Sequence, residues 1–403
     1  MRRIADLNKQ GKILYLDGLR GIAASSVVVV HFILAFYGAL YYLAPNQVHT
    51  MDGKELEIGR SLLSMLYSAN LAVPILFMLS AYVLSYRFFR DKDSSIVVAS
   101  AFRRYIRLAI PNLASALLGY LFLRNSLYYS AEASKLTLST SWLGAFYQFE
   151  PNLFLAVKQG LWDGFFAYIP EVTYKVSYNP TMWTMTYELA GSFLVFTFLT
   201  LFGVSAKRYI VYIAMMFILG KSHYAAFIFG LIISDVHNSE YGRNICQYLE
   251  RRNWLSWGMI GAGFMIGDYF PDGRNYWSTI MDSSVLEYIG FDLWVFYHTL
   301  GAAFVLVGIL VNKQIQCMLT KPIIQFLGRI AYSMYLTHVI IICSIGSYAF
   351  LYFYYAGFSY GASVFLGTIV CMVFIVFVAY LMTKYVDDPA IKIARIIQKK
   401  YLS

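Results

Sequence analysis

The sequence predicts an all-α polytopic membrane protein of about ten transmembrane helices, with N- and C-termini cytoplasmic. Three observations carry that expectation. Apolar residues make up 59% of the chain and charged residues only 13%, against about 25% charged in soluble domains, so there are too few charges to cover a water-facing surface. Apolar runs of about 17–25 residues, long enough to cross a hydrocarbon core about 30 Å thick, recur along the chain. Lys and Arg gather in alternate connecting segments, as cytoplasmic loops require. That bias accounts for the net charge of +10, and nucleic acid is not expected as a partner.

The first run covers 16–43 and contains Arg20 and His31. It is too long for a signal-peptide core and no small-residue cleavage site closes it, so it is expected to stay as an anchor behind the polar, basic residues 1–15. The second run covers 70–89 and contains Pro74. The most basic loop follows, with Arg87, Arg90, Lys92, Arg103, Arg104 and Arg107, and is placed in the cytoplasm. The third run covers 106–123, where Pro111 should kink or loosen the helix.

The loop 124–180 balances four basic residues (Arg124, Lys135, Lys158, Lys175) against four acidic ones (Glu132, Glu150, Asp163, Glu171), which suits the outer side. Its aromatic residues, among them Trp142, Phe146, Tyr147 and Trp162, point to interfacial helices or a cap over a site. The fourth run covers 182–203. Two short runs, 209–220 and 222–234, read as a tight hairpin rather than one broken span, because a single span would turn the basic loop 235–253 outward. The remaining runs cover 254–267, 289–311, 323–350 and 362–383. The tail 384–403 is a basic amphipathic segment placed inside. A single membrane-embedded domain over 1–403 is expected. The four cysteines, Cys246, Cys317, Cys343 and Cys371, have neither paired nor metal-type spacing.

An ionisable side chain inside a span costs roughly 2.5–3.5 kcal/mol on insertion scales, so His31 needs a reason. At about 1.5 Å per residue, His31 lies about 22 Å from the inner end of its span and His338 about 20 Å from the inner end of its own. Glu188, entering from the outside, lies about 10 Å below the outer face. Two imidazoles and a carboxylate at one level have the composition of a general-base site, with an acid to orient or tune the imidazole. The same set is a conceivable metal site, but nothing in the spacing places the three within ligand distance, and no metal is expected. Any one of them alone is as well explained as a buried polar group satisfied by a neighbour. At the inner face Arg20 joins Arg103, Arg104 and Arg107. Their plain reading is topology signalling; their functional reading is a polyanion site, since guanidinium forks bind phosphate bidentately.

Four blocks then resemble the acyltransferase 3 family of integral-membrane enzymes. LDGLRGIAASSVVVVHF holds Arg20 and His31; FRRYIRLAIP holds Arg104 and Arg107; PTMWTMTYEL holds Trp183, Thr184 and Glu188; GRIAYSMYLTH holds Gly328, Tyr335 and His338. VPILFMLSAYVLS is similar to the second-span signature, with Ala81 where Gly is usual, and Tyr332-Ser333 reverses the usual Ser-Tyr order. The resemblance implies acyl transfer from a cytoplasmic acyl-CoA, with acetyl-CoA expected as donor substrate and no permanently bound cofactor. It implies that His31 is the base, that Arg20, Arg104 and Arg107 hold coenzyme A phosphates or fix the donor, that Glu188 and His338 shape the acceptor side or tune His31, and that Trp183 and Tyr335 line the pocket.

The expected function is therefore O-acetylation of a cell-surface or lipid-linked glycan, in the plasma (inner) membrane and in contact with membrane lipid. O-acylation of a small molecule or secondary metabolite is the alternative within the same chemistry. Export of an acyl or glycan cargo, with the same polar residues as a proton relay, is the alternative of another class, and the short pair at 209–234 is the feature that would favour it.

Overall fold

The computed structural model describes residues 13–50, 52–168, 173–274, 276–282, 284–288 and 290–402. Most of the polar start of the chain, and Glu171 of the aromatic loop, lie outside the described residues. Among the described residues the fold is all-helical, with no strand. Helices stand at all ten predicted positions: α1 Leu14–Phe36, α2 Ala72–Asp91, α3 Ser95–Arg124, α4 Trp183–Phe202, α5 Arg208–Leu219, α6 Tyr224–Asn238, α7 Asn253–Ile266, α8 Leu293–Leu310, α9 Pro322–Tyr355 and α10 Tyr360–Met382. The tail forms α11, Asp388–Leu402, joined to α10 through a π-helical turn.

Seven of these, α1 to α4 and α8 to α10, are long and apolar enough to cross a membrane. The others, α5, α6 and α7, have 12, 15 and 14 residues, about 18–23 Å of rise against a core of about 30 Å. The run 209–234 is two helices, as expected. Arg208 at the start of α5 grips Asp235 near the end of α6 with two bonds, at 2.6 and 3.1 Å, and Tyr212 donates a third to the same carboxylate at 3.1 Å. That closes the open end of the hairpin. Pro111 does not end α3, which runs through it.

α1 packs along α9, α2 along α6, and α7 along α8, while α10 packs on α9 and α11 on α3. The contact between α1 and α9 is backbone to backbone. A Cβ on Gly21 would run into the main chain of Leu327 and Gly328, and one on Gly328 into that of Asp17. Small residues let two membrane helices approach in this way. The loop 124–180 folds into short helices over the end of the bundle. The Ser139 hydroxyl donates to the Leu34 carbonyl at 2.6 Å, and the Tyr129 N–H to the Cys343 carbonyl, at a π-helical turn in α9, at 3.1 Å.

Candidate active site

The site begins at the Gly21–Gly328 contact. His31 and His338 each stand ten residues beyond their glycine, on helices running the same way. Equal rise, about 15 Å on each helix, brings the two imidazoles level. Nδ1 of His31 is 2.6 Å from Nε2 of His338, with the ring planes 18° apart and the centroids 4.9 Å apart. The other nitrogen of His338, Nδ1, lies 2.8 Å from the Tyr335 carbonyl and 3.1 Å from that of Met334. Carbonyls only accept, so this nitrogen carries the proton. Nε2 of His338 is then the acceptor, His31 donates through Nδ1–H, and the lone pair of His31 stands on Nε2.

The aromatic loop adds a residue that the sequence named only as part of its aromatic content. Trp142 stacks on His31 at 5.1 Å and is braced edge-on by Phe146 at 5.1 Å. No motif marks Trp142; only the expectation that this loop caps a site pointed toward it.

On the Arg20 side of the imidazoles lies a cavity of about 380 Å³, bounded by α1, α2, α3, α4, α9 and the start of α11. Its polar lining alternates in sign. Arg20 bonds Asp17 at 2.7 Å, and Arg329 bonds Asp388 at 3.0 Å. Arg104 is bound to Glu188, with Nη2 also 2.7 Å from the Ser80 hydroxyl and Nε 2.7 Å from that of Ser192. Arg107 lines the same space, is exposed to it, and makes no hydrogen bond or ion pair among the described residues. Tyr332 also faces the cavity, donating to the Leu108 carbonyl at 3.1 Å, whereas Ser333 points away and accepts from Thr383 at 2.9 Å.

The predicted set is therefore divided. His31 and His338 meet. Glu188 does not join them: Ser80 donates to it at 2.6 Å and Arg104 pairs with it, inside the cavity. Depth along a helix fixes height but not the direction a side chain faces, and α4 turns Glu188 toward α2 and α3. The same contact draws Arg104 inward, so it is not a free cation at the mouth. Arg103, read with that cluster, instead reaches Gln398 of α11. Trp183 packs against Tyr187 at 6.0 Å and His223 at 5.3 Å, and it is its neighbour Thr184 that lines the cavity. Tyr335 lines the cavity, with its ring 5.8 Å from that of His338.

An imidazole with an oriented free nitrogen, beside a cavity lined by a guanidinium with no ion pair among the described residues, suits proton removal from an acceptor near an anionic ligand. Comparison with known proteins agrees with that chemistry. A family model described as an acyltransferase domain matches residues 13–384. The acyltransferase clz18 of Cochliobolus lunatus is 22% identical over 399 residues, with 84% of each chain covered. The O-acetyltransferase PaAT-1 of Phomopsis amygdali is 23% identical over 369 residues, covering 80% of this chain and 71% of that one. The acyltransferase R4 of a Phoma species is 22% identical over 396 residues, covering 82% and 83%. No solved structure matches the chain.

Proposed function

This chain belongs to the acyltransferase 3 family, and from that premise we propose that it moves an acetyl group from cytoplasmic acetyl-CoA to a hydroxyl of a cell-surface or lipid-linked glycan. That it is an integral-membrane O-acyltransferase follows from the family and the seven apolar helices. The donor, the acceptor, the plasma membrane as its site, the ten-span topology and the single-domain reading of 1–403 belong to the proposal. The relative named an O-acetyltransferase supports acetyl. The stacked Trp142 beside the base supports a sugar, whose apolar ring face suits an indole.

The observation that carries the proposal is the ordered pair His31–His338, which leaves Nε2 of His31 as the base. In the proposed reaction, coenzyme A phosphates lie toward Arg20 and Arg107, and the thioester lies at the Tyr335 end of the cavity. Nε2 of His31 takes the proton of the acceptor hydroxyl as its oxygen attacks the thioester carbonyl. His338, accepting from Nδ1–H of His31, stabilises the imidazolium that forms. The tetrahedral intermediate collapses with loss of the coenzyme A thiolate, which takes the proton back from His31. The atoms balance as ester plus free thiol. Arg104 and Glu188 act as one unit that shapes the cavity wall.

The test is purified protein with labelled acetyl-CoA and a panel of glycan acceptors, with His31→Ala alongside. Label in the glycan that depends on His31 is the expected result. Transfer that survives the substitution removes His31 from the mechanism. Export of an unmodified cargo without coenzyme A turnover would favour a transporter.

A further inference from the structure

The cavity stops short of the imidazole pair. Its inner end is formed by Ala24 of α1, Thr184 of α4 and Tyr335 of α9. Tyr335 is only 7% exposed. One side of it lines the cavity, and its ring centroid is 5.8 Å from that of His338. Thr184 of the facing helix lines the same end, its hydroxyl donating to the Thr181 carbonyl at 3.0 Å. The rest of this end is apolar, with Phe77, Leu108, Met185 and Ala331, whereas the arginines lie toward the other end. A donor seated with its phosphates among the arginines therefore meets the ring of Tyr335 with the tip of its acyl group.

Building on the reading of the chain as an acyl-CoA-dependent enzyme, we propose that Tyr335 determines acyl-chain length. Its ring stops the terminal carbon of the acyl group. With a two-carbon acyl group the carbonyl then lies next to the ring, within reach of an oxygen arriving from the His31 side. A longer chain stopped by the same ring holds its carbonyl further back along the cavity, out of that reach. Burial of the ring, which is 7% exposed, keeps it from swinging aside. A closed apolar pocket of this kind discriminates against a surplus methylene by about 10–200-fold.

The experiment compares kcat/KM for acetyl-, butyryl- and hexanoyl-coenzyme A in the wild-type protein, Tyr335→Phe and Tyr335→Ala. The wild type and Tyr335→Phe, which keeps the ring, should prefer acetyl over hexanoyl by about tenfold or more. Tyr335→Ala should reduce that preference by about tenfold or more. An unchanged ratio in Tyr335→Ala, or a wild type that prefers hexanoyl, overturns the proposal. Binding of the same three donors in a His31→Ala background reads the ratio without turnover. A Tyr335→Ala substitution there that leaves relative affinities unaltered also overturns it. Absence of turnover by the wild type with any donor counts against the enzymatic reading, while the binding ratio still decides the role of Tyr335.

Discussion

Nδ1 of His31 lies 2.6 Å from Nε2 of His338, and the far nitrogen of His338 is tied to the backbone of its own helix. This chain of bonds sets the tautomer of both rings without any carboxylate. His31→Ala is expected to lower acyl transfer by about 10²–10⁴-fold, the usual worth of a general base. His338→Ala should lower kcat less, leave donor KM nearly unchanged, and alter the pH profile of kcat, because His31 then loses its oriented partner. Identical pH profiles for His338→Ala and the wild type would contradict the orienting role of His338.

Trp142 stacks on His31. Stacked aromatic pairs contribute about 0.5–1.5 kcal/mol beyond burial, so Trp142→Ala should cost up to about tenfold in kcat/KM. Trp142→Phe should recover most of it. If Trp142 also receives the acceptor, the loss falls on acceptor KM and not on donor KM, which steady-state kinetics separates.

Arg107 faces the cavity without an ion-pair partner among the described residues, whereas Arg104 is spoken for by Glu188. Arg107→Gln should raise donor KM by about tenfold or more, the worth of one charge-assisted hydrogen bond, with little change in thermal stability. Arg104 behaves in the opposite way. Its side chain and that of Glu188 are 8% and 17% exposed, and removal of one partner from a buried pair costs about 3–5 kcal/mol. Arg104→Gln and Glu188→Gln should each lower the melting temperature more than the two together. Additive losses in that cycle would contradict the pairing.

Gly21 faces the backbone of Leu327 and Gly328 with no room for a side chain. Gly21→Leu should separate α1 from α9 and break the His31–His338 contact, at a stability cost of about 1–3 kcal/mol or more. Size-exclusion profile and melting temperature measure the first effect, and turnover of the folded fraction the second. A folded, fully active Gly21→Leu protein would show that the close contact is dispensable.

Asp268, just past α7, is buried, and the Ser64 hydroxyl lies 2.9 Å from both of its oxygens. Burial raises its carboxyl to about 6, from an ordinary 3.8. The folded protein thus holds a proton that the unfolded chain releases. This cost is absent below about pH 4, grows as pH rises toward about 6, and is then complete at about 3 kcal/mol. Asp268→Asn should raise the melting temperature at about pH 8 and have little effect near pH 4. A gain that is equal at both values would rule out the charge as its cause.

Much of this was legible in the sequence. Helix positions followed from apolar runs and from where Lys and Arg stand, and the hairpin over 209–234 followed from a charge argument about the next loop. His31 and His338 were matched by height alone, and height sufficed because α1 and α9 run parallel from a shared glycine contact. Glu188 was matched by height as well, and there height failed. It points toward Arg104 and Ser80 instead. Trp183 likewise packs on His223 and leaves the cavity to its neighbour Thr184.

By itself the sequence determined that this is a helical membrane protein with polar groups at a few depths, because hydrophobicity and rise per residue are properties of the chain taken along one axis. Only the tertiary structure decided which of those groups meet. The rotation of each helix about its own axis, and the descent of Trp142 onto His31 from a loop, depend on packing between segments far apart in the chain. No periodicity within a single segment encodes that.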